Sequence, residues 1–462
     1  MKGYLTIFFS LSLSIMTGFV LVLTGGAIRN AEKVRFECAA DTGMNAVLSE
    51  FHTGLLKRYD LIYVDASYLG KAPSIANVED RLKYYMEENT SKALSGSRSP
   101  WGRLSLENTA VLSVETAAAN KGASMRNQAV LYIEDTGISG KEREVPELME
   151  EVRALENASP MEDWTGVMEQ IAGIELPRIQ NDKGIWEEVP LSNPADWVYA
   201  LAGSDILYLS QIESRDLSPA KIFLQEYISH RHIQNDGSAE RRYREDEELF
   251  LSYLFDKMGR FGSTKEESLL SCQLEYIAVG EASDMDNMRA VAERLFRWRF
   301  ADNASKAMAD GGLRGEASRA AGQLLAVTLK EEFRAPVTES ILYACAFLES
   351  ICDVRALFSG GAVPLRKSGH SMAVGHVLEG GFYAAGGGSG LSYGQYLAAM
   401  ILLLDKEEVN LRAMDIMEMD IRLADGNKSF SMDWCIERFE AKITGAGGMG
   451  NQYSLNRKYG YF

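Results

Sequence analysis

Gly445, Gly447 and Gly450 reproduce the spacing G-x-G-x-x-G, which in a dinucleotide-binding unit lets the backbone approach a pyrophosphate at a helix N-terminus. That chemistry needs a helix after the third glycine. NQYSLNRKYGYF follows instead, so the pattern reads as a hairpin loop. His230-Arg231-His232 could chelate a metal from a strand, where alternate residues share a face. Phe223 to Ser229 favours a helix, on which the two rings would point apart. Cys345 and Cys352 share one apolar helical stripe but stand roughly 10 Å apart along its axis, beyond disulfide reach, so they read as packed thiols. The acidic run EDEEL from Glu245 to Leu249 lacks the Asx and glycine spacing of a calcium loop and reads as a solvated face. His52, His370 and His376 read as structural or surface residues, and no G-x-S-x-G, H-E-x-x-H or P-loop pattern occurs. The sequence therefore nominates no catalytic, cofactor-binding or metal-binding residue.

Composition narrows the classes further. The chain has 462 residues, of which 48 are Lys or Arg and 65 Asp or Glu, for a net charge of −17. An acidic surface with no dense Lys/Arg run repels phosphate backbones, so no nucleic-acid partner is expected. At 46 % hydrophobic and 24 % charged, the usage is that of a globular chain rather than a disordered one. Five scattered cysteines build neither a disulfide scaffold nor a zinc site.

Whatever the head does, its position is set by the N-terminus. Gly3 to Ile28 carries no charge (GYLTIFFSLSLSIMTGFVLVLTGGAI), and about 20 such residues cross a hydrocarbon core of ~30 Å. The rival is a cleaved signal peptide, with Lys2 as a minimal basic start and Gly25-Gly26-Ala27 as a small-residue cleavage site. The run is longer than the ~7–15 residues of a secretory core, which favours a retained anchor. Arg29, Lys33 and Arg35 follow the span against only Lys2 before it, so a literal positive-inside count leans towards a cytoplasmic C-terminus, although long domains translocate largely regardless of such flanks. Beyond the span, Met44, Val47, Leu48, Phe51, Leu55 and Tyr59 recur at helical spacing. Span and stripe predict one rod, lipid-bound at one end and packed on the head at the other.

The opening KGYLTIFFSLSLS and the stretch AIRNAEKVRFECAADTGMNAVLSEFHTGLLKRYDLIYVDASY carry a resemblance. So do MRNQAVLYIED, LLSCQLEYIAVGEASDMDNMRAVAERLFRWRFADN, ESICDVRALFSGGAVPLRKS and GLSYGQYLAAMILLL. In these blocks the chain resembles an uncharacterised bacterial family of single-span proteins associated with tight-adherence (Tad, Flp-type) pilus loci, TadE/TadG-like at the N-terminus. The resemblance implies an extracytoplasmic head and a place near a pilus or secretion machine, and brings no catalytic residues. One departure is informative. Pilin precursors are cut after a glycine and carry Glu at the fifth mature position; with Gly3 as the cut, Phe8 stands there, so the polymer-forming charge is missing.

The remaining pattern predicts an extended exit at Asp60–Tyr68, a helix from Ile75 to about Ala93, a loop at Leu94–Gly102, a strand at Ala110–Ala117 and a helix at Met125–Ile133. Clustered charges and prolines from Lys141 to about Pro194 suggest a less regular region or a subdomain boundary. Ser268–Val279 reads as strand-like. Stripes through Met288–Leu295, Leu313–Thr328 and Ile341–Arg355 predict three antiparallel helices. A glycine loop at Gly386–Gly390 precedes helices near Ser392–Leu404 and Glu407–Leu423, and the tail from Phe430 reads as a hairpin or arm. The expected fold is α+β, mainly α. It comprises an anchor at 1–28, an amphipathic stem helix at 29–59, a mixed head segment at 60–194 and a helical head segment at 195–462 ending in the hairpin. The expected role is a membrane-anchored, extracytoplasmic structural or assembly component, partnered by the bilayer and by Tad pilus or secretion components or copies of itself, with no cofactor and no enzymatic activity. A cell-surface binding or adhesion module is the alternative, and an enzyme with an unrecognised site a more distant one.

Overall fold

With no proline to interrupt it, the N-terminal segment forms a single helix, α1 (Lys2–Leu48), in the computed structural model. The structure describes residues 2–91, 104–180, 182–189, 192–235, 243–244, 246–325, 331–383, 388–424, 426–448 and 450–461. After α1 come α2 (Thr53–Tyr59), β1 (Val64–Asp65), α3 (Ile75–Ser91), β2 (Leu104–Thr116), α4 (Ala119–Thr136), α5 (Met149–Glu156) and α6 (Pro160–Gly173). The ribbon β3 (Arg178–Gln180) and β4 (Trp186–Glu188) leads to α7 (Asp196–Leu201), α8 (Ile206–Leu209), α9 (Glu247–Lys257), α10 (Gln273–Val279) and α11 (Asp284–Ala309). Then follow α12 (Gly311–Leu325), α13 (Arg334–Phe358), β5 (Ala362–Val363), α14 (Val374–Glu379), β6 (Leu391–Ser392), α15 (Tyr393–Leu402), α16 (Lys406–Arg422), β7 (Cys435–Gly447) and β8 (Gln452–Gly460). The fold is mainly α with minor β, as the sequence predicts. The predicted loop at Leu94–Gly102 lies outside the described residues, as do Thr328 and the first two residues of the Gly386–Gly390 loop.

The chain forms two compact units. One comprises Met1–Tyr132, Gln225–Glu245 and Met414–Phe462; the other comprises Ile133–Leu224 and Asp246–Ala413. In the first, β7 is the central strand of an antiparallel sheet. It pairs with β2 along one edge, and with β1 and then β8 along the other. The stem stripe of α1 closes the core: Phe36, Ala40, Met44 and Val47 pack with Val78, Leu82 and Met86 of α3 and with Phe439, Ala441 and Ile443 of β7. Each of the larger apolar side chains among these, withdrawn from water, contributes roughly 1.5–3 kcal/mol.

The stem is shorter than its stripe suggests. A single helix to about Tyr59 is expected, yet α1 stops at Leu48 and α2 starts afresh at Thr53. The cause is His52. Its N–H bonds the carbonyl of Tyr63 at 2.8 Å, and its Nδ1 accepts the N–H of Leu55 at 3.0 Å, so it caps α2. Phe51, in the break, is only half-buried, while Leu55 and Tyr59 are fully buried on α2.

In the second unit α6, α11 and α13 meet around Trp164, which is fully buried and meets the rings of Tyr199 at 5.0 Å and Phe347 at 5.6 Å, while α12 packs on α13. The three successive helices read from the sequence are present as α11, α12 and α13. Two expectations are corrected. Residues 141–194 are not irregular in the main, because Pro146 and Pro160 sit in the first turns of a 3-10 helix and of α6, where a missing N–H costs nothing. Ser268–Val279 is not a strand. The Asp284 carboxylate takes the N–H groups of Ser271 (2.9 Å) and Cys272 (3.2 Å), after which α10 forms, buried nearly all round. A helix enclosed on every side loses the apolar–polar alternation that would identify it.

Candidate functional sites

The first site is the junction of the stem and the terminal hairpin. Glu32, on α1, is buried and accepts hydrogen bonds from the Gly448 N–H (3.2 Å), the Asn451 amide (3.2 Å) and the Tyr453 hydroxyl (2.9 Å). The glycine pattern is explained by this clasp. A Cβ on Gly445 would stand 2.6 Å from the Phe36 ring and 2.7 Å from the Ser105 carbonyl, and one on Gly447 would stand 2.2 Å from Glu32 Oε2. Gly450 turns the chain with φ +75°. These glycines let a helix, not a nucleotide, approach the backbone. Gly445→Ala should therefore cost about 1–3 kcal/mol through overpacking, read as a lower unfolding midpoint; an unchanged midpoint would mean that the stem does not seat on the hairpin.

A second feature, within the other unit, is a cleft of about 1080 Å³ lined by Arg289, Arg294 and Arg297 of α11, by Glu156, and by Phe296 and Phe300 at its apolar floor. Its charges are largely matched. Arg294 grips Glu156 through two hydrogen bonds (3.1 and 3.0 Å), and Arg289 meets Asp205 at 3.3 Å and Asp286 at 3.0 Å. Burial works against the Glu156 charge, but Arg294 and the Trp298 indole hold its carboxyl below the usual range.

The third is an ionic network beneath a smaller cavity of about 410 Å³ lined by Glu349, Asp353, Lys367, His370 and Ser371. Arg299, fully buried on α11, donates to Asp353 Oδ2 (3.0 Å), to Asp302 Oδ2 (3.1 Å) and to the carbonyls of Pro364 (3.0 Å) and Leu365 (2.9 Å). Lys367 Nζ lies 2.6 Å from Asp353 Oδ1 and 2.7 Å from Glu349 Oε1. The Asn303 amide adds a bond to Asp353 Oδ2 at 3.0 Å, and the Ser371 hydroxyl one to Glu349 Oε2 at 3.0 Å. Glu349 and Asp353 are one helical turn apart on α13, so both carboxylates face the same partners. Such charges are tolerated in a core only when each finds a counter-charge and hydrogen bonds.

The residues first nominated for chemistry are placed elsewhere. His230 and His232 are exposed, in turns rather than on a helix; only Leu224–Glu226 is helical there, and of 3-10 type. Between them Arg231 is the structural residue, bonded to Glu418 (2.8 and 2.7 Å) and Asp433 (2.8 Å). His370 pairs with Asp310 at 3.0 Å, and the His376 ring lies tilted against Tyr383, their centroids 4.3 Å apart. Cys345 and Cys352 are buried thiols, pushed up to about 12 and about 11 by burial. Within EDEEL, Asp246 caps α9 by accepting the Leu249 N–H at 2.9 Å, while Glu245 lies outside the described residues. Among the described residues no group of three His, Cys, Asp or Glu is placed to hold a metal. Sequence reasoning missed Arg299, Glu349, Asp353 and Lys367. The available signal was the Glu349–Asp353 spacing inside an otherwise apolar stripe.

A family described as a family of unknown function, DUF5702, matches residues 184–447, more than half of the chain. The chain belongs to DUF5702. The DUF5702 match takes in the ionic network and runs to Gly447, and α1 precedes it. No curated protein and no solved structure matches the chain.

Proposed function

We propose that this DUF5702 protein is a membrane-anchored, extracytoplasmic structural or assembly component, linked to a Tad-type pilus or secretion machine. The observation that carries the reading is the double character of α1. Over its apolar part, with a mean hydropathy of 2.1, none of the helix is buried in the protein, and Leu5 to Leu23 presents large apolar side chains outwards. From Glu32 onwards the same helix is a strut of the first unit's core. A helix that needs lipid at one end and its own head at the other suits an anchor that also holds the head in register. The Tad association and the outward topology are supported by the resemblance of the N-terminal blocks.

Leu13→Arg places a charge mid-span, at a cost of about 2.5 kcal/mol or more, and should move the protein out of the membrane fraction. Topology has a built-in reporter. Cys38 is exposed, and Cys272, Cys345, Cys352 and Cys435 are buried. An impermeant maleimide should label wild-type protein on intact cells and fail to label Cys38→Ser. Labelling only after lysis would overturn the extracytoplasmic placement, and recovery from the medium with a new N-terminus at Ile28 would overturn the anchor.

A further inference from the structure

We propose that Lys367 and Asp353 become joined by an amide bond between their side chains, with Glu349 relaying the protons. The argument is the arrangement of three buried groups. Lys367 Nζ stands 2.6 Å from Asp353 Oδ1 and 2.7 Å from Glu349 Oε1, and all three side chains are at most 10 % exposed. The other carboxylate oxygen, Asp353 Oδ2, accepts from Arg299 Nε and the Asn303 amide, each at 3.0 Å. One oxygen of Asp353 therefore faces the amine while the other is held by two fixed donors, the disposition that stabilises negative charge on an acyl oxygen during attack. Fixing amine and acyl carbon in contact makes the reaction unimolecular. Taking an ion pair out of water raises its cost relative to the neutral product.

The step balances without a co-reactant. The ammonium passes one proton to Asp353 Oδ1, leaving a neutral amine and a neutral acid. The Nζ lone pair forms the N–Cγ bond as the π pair of the carbonyl moves onto Oδ2, against Arg299 and Asn303. Glu349 takes a second proton from the nitrogen and delivers it to Oδ1. The Cγ–Oδ1 bond then breaks, water leaves with that electron pair, and the carbonyl re-forms at Oδ2. One amide and one water replace one ammonium and one carboxylate. The adjoining cavity of about 410 Å³, lined by all three residues, gives the water somewhere to go. The product ties the last turns of α13 to the segment that follows β5, a covalent brace in a head that we read as a structural component; the chemistry does not depend on that reading.

The test is mass spectrometry of the full chain purified in detergent and digested with a protease. A branched peptide carrying Asp353 and Lys367, lighter than its two linear parts by one water, is expected from wild type. Lys367→Arg should give linear peptides only, and so should Glu349→Gln with its unfolding transition retained. Wild-type protein yielding only the linear peptides would overturn the proposal, and a branched peptide persisting in Glu349→Gln would overturn the relay. Should either variant fail to fold, the wild-type digest alone still decides whether the bond exists.

Discussion

An Arg299→Met variant should unfold about 3–5 kcal/mol more easily than wild type, the cost of stranding buried charge when one partner of a pair is removed. Methionine nearly fills the space but donates nothing. Asp302, fully buried, loses its Oδ2 contact to the guanidinium and keeps the Lys367 N–H at 3.0 Å and a longer ion pair to Arg366 at 3.6 Å. The carbonyls of Pro364 and Leu365 lose their donor as well. Four of the six tryptophans, Trp164, Trp186, Trp197 and Trp298, belong to this unit, so fluorescence during urea unfolding follows it. A midpoint within experimental scatter of wild type would show that the network is hydrated and not a core element.

Glu275→Gln should act in the opposite direction, and only at higher pH. Glu275 is fully buried. Its Oε1 accepts from the Tyr393 hydroxyl (2.6 Å) and the Phe261 N–H (2.8 Å), while Oε2 has no hydrogen-bond partner among the described residues. Burial pushes its carboxyl from 4.5 up to about 7, against those two hydrogen bonds and with a further push from Asp284. A raised folded-state value means that the folded chain binds the proton more tightly than the unfolded one. Stability from this group is therefore complete below about pH 4.5 and is lost as pH rises through about 7. With each tenfold change in the protonation equilibrium equal to about 1.4 kcal/mol, the loss by pH 8 is roughly 3 kcal/mol. Glutamine keeps the acceptor oxygen and removes the charge, so the variant should match wild type near pH 4.5 and exceed it by that amount at pH 8. Equal pH dependence of the two proteins would refute the assignment.

What could be read from the sequence followed the elements with a clear period. The α1 stripe, α12 and the closing hairpin are amphipathic or alternating, and α11 and α13, though buried over much of their length, are long enough to carry an apolar stripe at helical spacing. Where burial is complete, the alternation vanishes. Helix α10 was expected as a strand because nearly every residue in it is enclosed, and the Asp284 carboxylate that organises its start comes from the next helix. The break after Leu48 was hidden for a related reason: its determinant, the His52 N–H bond to Tyr63, is a contact between residues either side of α2 that periodicity cannot register. The ionic network was the least legible. Nothing in their spacing links Arg299, Asp353 and Lys367, and only the packing of α11 on α13, with the segment after β5, brings them together.

The clasp between Glu32 and the hairpin joins residues 416 positions apart. At a synthesis rate of ~5–20 residues per second, the interval between the emergence of the two halves is roughly 20–80 s. Throughout it, Phe36, Met44 and Val47 have no β7 to cover them, because that strand lies far downstream of the stem in the chain. On the anchoring proposed above, a stem fixed in the bilayer is confined to two dimensions with other nascent stems, each presenting the same uncovered stripe. Maturation of the first unit is then a race between closing on its own downstream strands and pairing with a neighbour.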